Sequence, residues 1–446
     1  MNKQHIGKKR WMIAVMLGIG VIIEYFDRTN ISIAAKPLTE EFNLTPGEMG
    51  LLLSSFAWSY ALLQIPVGVL LDKIGVKWMM RLGTVIWSLA TLMTAVVSGY
   101  GLVLLSRVLL GAGEAPYLPA AAKATGHWFP RKERGLAISM FDSESKLSNA
   151  IGTPIVALAV SAWGWRGGFF MTATLSILFA IVFWIWYRDP HEDKRLSKEE
   201  YDYIVEGGAQ STESAPGGTM KNIKYLLTKR KVWGIFIGFA AYGYSWFLFL
   251  TWLPGYLQTE MHMSVIQSGW YAAIPWIIGT LSEIIIGGWL IDHLTKKGYN
   301  PTRLRKTFLV IGMLLGLAVI GAVFTDSAKV AVFWISLALG GLVITSSIAF
   351  SIPTFIAPKG TVGTLTGLIS FGNNAMGIAA PIVTGFIVGA TGSFSSAFIV
   401  AGIFLIIGIL SYVFLLTDLN PIESLDERES GNEQSGDDKN NIKISL

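Results

Sequence analysis

In the stretch RVLLGAGEAP, residues 107–116, Arg107 and Glu114 stand seven residues apart inside a long apolar run. On a helix that spacing is about two turns on one face. A second pair of charges, Asp27 and Arg28, interrupts the apolar run that begins at Trp11. Ionisable groups surrounded by hydrocarbon are costly, so they face a partner or a water-filled path. An arginine keeps its charge and can grip a carboxylate through two parallel hydrogen bonds. A carboxylate at mid-depth that is not fully paired can hold a proton near neutral pH. Such a set is chemically suited to linking an anion to protons. The plainer reading of the same residues is a buried structural ion pair.

These charges need elements to hold them, and composition says which. The chain has 446 residues, of which 52% are hydrophobic and only 15% charged, with 48 glycines. A soluble protein of this size carries nearer a quarter charged residues, so the composition points to a membrane protein. With no cysteine, disulfides and thiolate metal sites are excluded. The histidines (His5, His127, His191, His262, His293) form no HxxxH pair and lie in loops or near segment ends, which argues against a metal site. The net charge of +5 sits in short loops between apolar segments, a placement that speaks for membrane orientation rather than nucleic acid. The N-terminus opens like a signal peptide, but its apolar run continues through Asp27 to about Pro37 with no cleavage site, and reads as a retained spanning helix.

Twelve apolar segments have spanning length: about 11–37, 49–71, 79–99, 101–124, 135–160, 168–187, 232–257, 269–291, 307–325, 330–352, 361–388 and 393–417. With the N-terminus inside, the cytoplasmic loops collect Lys3, Lys8, Lys9, Arg10, Lys73, Lys77, Arg81, Lys123, Arg131, Lys132 and Arg134, while the outer side keeps Lys36, Arg166 and Lys329. This bias predicts both termini in the cytoplasm of a cell-membrane protein. The expected domains are 1–187, a cytoplasmic linker at 188–231, 232–417, and a disordered tail at 418–446. Within the linker, Ser197 and Glu200 fit a capping box for a short helix from about 198 to 206, followed by a flexible stretch from Gly207 to Gly218.

Depth along each segment then places the candidate residues. At 1.5 Å per residue, Asp27 and Arg28 lie roughly 13 Å from the outer end of segment one and Arg107 roughly 9 Å from that of segment four, compatible with an Asp27–Arg107 or Asp27–Arg28 interaction. Glu114 lies near mid-membrane. Segment five carries Asp142, Glu144, Lys146, Ser148 and Asn149 within eight residues. Asp142 and Lys146 are four apart and can pair on one face, while Lys146 and Glu114 can meet at one depth. Lys146 is therefore a substrate-binding cation, or a structural partner of Asp142 or Glu114, or nearer the cytoplasm than these boundaries put it. In the second half Glu283 is an acid well inside its helix with no obvious basic partner in sequence. Tyr242 and Trp246, one turn apart, offer a ring face and a hydroxyl or serve packing. Ser347 and Ser351 share a face, where small hydroxyls often bond their own backbone. Asn373 and Asn374 are costlier to bury without a partner and are better ligand candidates.

The two halves echo one another. GVLLDKIGVKWMMR contains Gly68, Asp72, Gly75, Lys77 and Arg81, and GGWLIDHLTKKG contains Gly288, Asp292, Lys296, Lys297 and Gly298. A duplicated half is expected of many secondary transporters. Twelve segments, a central loop and this repeated G-x-x-x-D loop resemble the major facilitator superfamily. YFDRTNISIA (25–34), FAWSYALLQIP (56–66), RVLLGAGEAPYLPA (107–120), WFPRKERG (128–135) and FLTWLPGYL (249–257), in that order, look like its anion:cation symporter family. That group includes proton-coupled bacterial carriers of hexuronates, aldonates and aldarates and is related to sialin.

The resemblance implies an all-α membrane protein of 12 transmembrane helices, a major facilitator fold of two six-helix bundles around a central cavity. It implies alternating-access symport of an organic anion with protons, by a chain expected to be monomeric, with no cofactor, no metal and no nucleic acid. Asp27 and Glu114 match the family's proton-carrying acids. Arg28 and Arg107 match residues that organise them or hold the anion, and Tyr60 and Gln64 match cavity-lining positions. Gly68, Asp72, Gly75, Lys77 and Arg81 match a cytoplasmic gate. Lys146, Tyr242, Trp246, Ser351, Asn373 and Asn374 complete the candidate substrate set. GTP at 152–154 resembles a kinked packing motif of segment five. The sequence departs from the sugar-acid members at Asp142–Asn149, where a largely neutral run is usual, and at Ser370, where an Asn is common. The alternatives are an anion exchanger or exporter of the same fold without proton coupling, and a transporter-like sensor.

Overall fold

The computed structural model describes residues 7–209, 220–358 and 361–423, and among these the regular structure is helical. The first span forms α1 (Lys9–Ile33), which stops short of the expected end and gives way to a short α2 (Ala35–Phe42). The next helix starts from a capping box: the Thr45 hydroxyl accepts from the Glu48 amide while the Glu48 carboxylate accepts from the Thr45 amide, and Pro46 fills a first-turn position that needs no N–H. This α3 (Pro46–Val96) carries two predicted spans, separated at Gly75, whose φ of 77° only a residue without Cβ adopts cheaply. The fourth span is divided between α4 (Tyr100–Glu114) and α5 (Tyr117–Trp128), and α6 (Arg131–Trp186) again carries two spans about Gly164, φ 71°.

The linker contains α7 (Lys198–Glu206) and α8 (Met220–Leu227). Then follow α9 (Arg230–Thr259), α10 (Val265–Ser282) with a π-helical turn at Glu283–Leu290, and α11 (Ile291–Lys296). They lead to α12 (Pro301–Gly316) with a 3₁₀ run to Phe324, α13 (Ala328–Ser351), α14 (Pro353–Ile356), α15 (Val362–Thr391) and α16 (Phe394–Leu410). The predicted spans all fall on helix. Taken by length and apolar composition, nine helices among the described residues can cross a bilayer.

Within residues 7–209, α1 packs on α6 and α3 on α4; within 220–423, α13 packs on α10 and α12, and α9 on α15 and α16. The broadest contacts between the two parts are α6 with α10, α3 with α15, and α1 with α9. Glycines allow these approaches. A Cβ at Gly50 would lie 2.5 Å from the Pro381 carbonyl oxygen, and one at Gly385 only 2.4 Å from that of Pro46. Gly269 of α10 similarly faces Thr153 and Ala157 of α6. At this same end the Ser32 hydroxyl donates to the Thr251 carbonyl (2.6 Å) and the Gln258 amide to that of Ile33 (3.1 Å). At the other end, which carries Lys73, Lys77 and Arg81, a Cβ at Gly68 of α3 or at Gly363 or Gly367 of α15 would meet open space. Helices α3 and α15 therefore touch at the Thr45 end and part toward the basic end.

Two sequence expectations change here. Only half of the linker capping box forms. Ser197 accepts from the Glu200 amide, but the Glu200 carboxylate reaches away to accept from the amides of Lys9 and Arg10 (3.1 Å each) and from the Arg10 guanidinium (2.9 Å). Buried Glu200 thereby satisfies amide groups that the first turn of α1 cannot bond internally. The expected tail also begins as packed chain: Leu419 and Ile422 are buried, Lys231 pairs with Asp418 at 2.9 Å, and the Ile422 amide donates to the Ile356 carbonyl. Residues 424–446, and 210–219 of the expected flexible stretch, lie outside the described residues.

Candidate functional site

Between the two parts lies a cavity of about 530 Å³, walled by α1, α3, α5 and α6 on one side and α9, α13 and α15 on the other. Helical repeat explains which side chains reach it. On α3, Tyr60 and Gln64 are one turn apart and line it with Phe56; on α9, Tyr242 and Trp246 do the same. From α15 come Ser370, Asn373 and Asn374. Two cations face the space, Arg28 from α1 and Lys146 from α6. Ser351 is not on the wall; its hydroxyl donates to the Ile348 carbonyl.

Arg28 is the junction between the cavity and the charges behind it. Its Nε and one terminal nitrogen each lie 2.9 Å from Glu114 Oε2, and the same terminal nitrogen is 3.3 Å from Glu24 Oε1. The guanidinium also sits 4.8 to 5.0 Å from the ring centres of Tyr25, Phe56 and Tyr60, a cation–π setting. Both carboxylates are fully buried, and each keeps one oxygen, Glu114 Oε1 and Glu24 Oε2, without a hydrogen-bond partner. One cation thus faces two carboxylates. The group carries an excess negative charge when both are ionised and is neutral when one holds a proton.

Glu24 was not among the sequence candidates. Its signal was available: it stands four residues before Arg28, the helical spacing at which acid and base meet. Asp27 points to the other side of α1, where its carboxylate accepts from Trp87 Nε1 (2.5 Å) and the Ser176 hydroxyl (3.1 Å). Of the two expected interactions, Asp27 meets Arg107 and not Arg28. Arg28 hydrogen-bonds Glu114 and Glu24 rather than Asp27, and Arg107 donates to the main-chain carbonyl of Asp27 (3.3 Å). Arg107, Asp27 and Glu114 all stand behind the cavity wall.

Lys146 does not meet Glu114, against the depth estimate. Its Nζ lies 3.0 Å from Glu283 Oε1, so the acid without an evident sequence partner is paired across the two parts of the chain. Equal depth fixes no direction around a helix axis, and Glu114 faces α1, where Arg28 holds it. The side chain of Asp142 lies outside the described residues.

In the loop expected to form a gate, Gly75 makes the turn, Lys77 pairs with Glu192 (2.5 Å), and Arg81 donates to the Trp184 carbonyl (2.8 Å) between the rings of Trp78 and Trp184. Lys77 holds the Glu192 carboxyl below its ordinary range. The side chains of Asp72 and of the second copy's Asp292 lie outside the described residues. No cluster of His, Cys, Asp and Glu that could hold a metal occurs among the described residues.

Apolar helices, a cavity between two parts and buried charges behind one wall define a multi-pass membrane transporter. Residues 17–381 match the family model described as Major Facilitator Superfamily, and the chain belongs to that family. YybO of Bacillus subtilis (strain 168), described as an uncharacterized transporter, is 43% identical over 94% of this chain and 96% of its own length. The Escherichia coli (strain K12) protein described as "Probable galactarate/D-glucarate transporter GudP" is 33% identical over 93% of this chain and 95% of its own. Among solved structures, a bacterial homologue of the human lysosomal transporter Spinster, inward-facing and occupied, shares the fold with a TM-score of 0.74 at 19% identity, over 92% of this chain and 97% of that one.

Proposed function

We propose that the protein is a proton-coupled symporter that carries an organic anion, a sugar acid or related carboxylate, into the cell by alternating access. In this reading it is a monomer of twelve spans in two six-helix bundles, residues 1–187 and 232–417, in the cell membrane with both termini cytoplasmic. The basic end, where α3 and α15 part, is then the cytoplasmic end, and the cavity is accessible from inside. The anion reading is supported by two cations on the cavity wall and by the galactarate/D-glucarate description of a relative. Tyr60, Gln64, Tyr242, Asn373 and Asn374 supply the polar surface that hydroxyls of a sugar acid would meet.

The observation that carries the coupling is the position of Arg28, with the cavity on one side and Glu114 and Glu24 on the other. While both carboxylates are ionised they neutralise Arg28 in excess. A proton on Glu114 removes that excess and leaves the guanidinium able to accept an anion from the cavity. Proton and anion then enter together, because each lowers the cost of burying the other. Asp27, held by Trp87 and Ser176, and Glu144 on α6 are further carboxyls from which a proton could come.

The test is uptake into proteoliposomes of labelled hexuronates, aldonates, aldarates and small dicarboxylates under an inward proton gradient. Wild type should accumulate at least one. Glu114→Gln should lose gradient-driven accumulation while still exchanging labelled for unlabelled anion. Undiminished transport by Glu114→Gln without proton movement would instead mark an anion exchanger, and binding without flux a sensor. Uptake of a cation or neutral sugar alone would refute the anion reading.

A further inference from the structure

We infer that Glu283 is a built-in stand-in for the anion: its carboxylate holds Lys146 until the carboxylate of a bound anion replaces it, and this exchange opens an ion pair that joins the two parts of the molecule. The inference rests on the anion reading above, in which Lys146 is one of the two cavity cations, and adds a role for Glu283.

Geometry carries it. Lys146 belongs to α6 and lines the cavity beside Ser145, Tyr25 and Arg28. Its partner comes from α10, 137 residues away in sequence, with Nζ and Oε1 3.0 Å apart. The pair is nearly dry, with side chains 6% and 12% exposed. Breaking a pair in such a setting by removing one charge is costly, whereas exchanging one carboxylate for another leaves the ammonium paired throughout, with the displaced Glu283 carboxylate taking up a proton or water in its place. The lysine stem is flexible, its ammonium a point charge with rotatable donors, so it can turn from Glu283 to the cavity without moving its helix.

The backbone at the acid is unusual as well. Glu283 is the first residue of the π-helical turn Glu283–Leu290 that interrupts the helix after α10. Such turns are rare and gather at functional positions. One turn on, Gly287 lies against Ser347 of α13, where a Cβ would come within 2.7 Å of the hydroxyl oxygen. The acid is therefore mounted on an irregular segment clamped from behind. Helices α6 and α10 also form one of the broadest contacts between the two parts, so the ion pair lies on a contact that alternating access must remodel. An anion that takes Lys146 from Glu283 releases that contact, and occupancy of the cavity is thereby signalled to the helices that move.

The experiment measures equilibrium binding of D-glucarate and D-galactonate to the purified full chain, wild type against Glu283→Gln, Lys146→Gln and the double variant. Removing the internal competitor should lower Kd in Glu283→Gln by about threefold or more, and removing the cation should raise it by about tenfold in Lys146→Gln. On the Lys146→Gln background, Glu283→Gln should change Kd by less than about twofold, since nothing remains to compete for. A Glu283→Gln protein that binds no tighter than wild type, or strictly additive effects in the double variant, overturns the exchange while leaving the anion reading intact. A wild type that binds neither these anions nor the others of the uptake panel overturns both. Wild type also serves alone, should a variant fold poorly. A carbodiimide should join Lys146 to Glu283 as an amide detectable by mass spectrometry. Saturating D-glucarate should cut that product by about threefold relative to equal acetate, as replacement at the ammonium requires. An undiminished cross-link contradicts the exchange.

Discussion

At the scale of single residues, the chemistry turns on which carboxylate each buried cation holds. Arg28 serves Glu114 and Glu24 with a planar fork beside three aromatic rings, a set of contacts that an ammonium cannot reproduce. Arg28→Lys should therefore reduce proton-driven uptake by about tenfold or more, measured as initial rate in proteoliposomes, although the charge is kept. Asp27 gives a stability prediction. Trp87→Phe removes an indole donor from a carboxylate that is fully buried, at a cost of about 1–3 kcal/mol, and should lower the melting temperature in detergent. Much of this site was visible in the sequence, because a charge inside an apolar run is conspicuous wherever it stands. Asp27, Arg28, Arg107, Glu114 and Lys146 were all picked out on that ground. The partners were less legible. Glu24 was overlooked beside the more prominent Asp27–Arg28 pair, although its spacing to Arg28 is helical. The Lys146–Glu283 pair spans 137 residues and arises only when the two parts pack, which no local pattern encodes.

At the scale of elements, the predicted spans fell on helix, and positive-φ glycines at Gly75 and Gly164 each separate two of them. Depth arithmetic gives no direction around a helix axis, and Glu114 faces Arg28 of α1 rather than Lys146. The sequence showed the α7 helix but not its purpose, which is to place Glu200 over the first turn of α1. Glu200→Ala should cost about 1–3 kcal/mol, since it uncovers amide groups and strands Arg10, and calorimetry on the full chain would measure it. The same dock has a predictable pH response. Burial tends to raise the Glu133 carboxyl, but hydrogen bonds from Arg10 and Tyr203 and the charge of Arg10 prevail and hold it below its ordinary 4.5. Asp193, likewise partly buried, is drawn below 3.8 by Lys9 and Arg195. A carboxyl whose folded value is depressed stabilises above its unfolded value and loses that contribution as pH falls through the folded one. Melting temperature should therefore hold steady from neutral pH to about pH 5 and drop below it, less steeply in Glu133→Gln.

At the scale of the whole molecule, the described state is closed at the Thr45 end and parted at the basic end. The closed end depends on glycines at the α3–α15 crossing, and a side chain at residue 385 would press on the Pro46 carbonyl. Gly385→Leu should shift the population away from this state. The chain has no cysteine, so spin labels placed at Glu40 and Thr259 report directly, and their separation should lengthen in the variant. An unchanged distance distribution would show that the crossing tolerates the side chain. In the proposed coupling an anion enters the cavity together with a proton, and the proton goes to the carboxylates that hold Arg28. The most direct measurement adds a bound aldarate or aldonate to the purified protein in weakly buffered solution near neutral pH and follows the proton concentration. Proton uptake that accompanies anion binding and is lost in Glu114→Gln is the predicted result. Anion binding with no change in bound protons would contradict it.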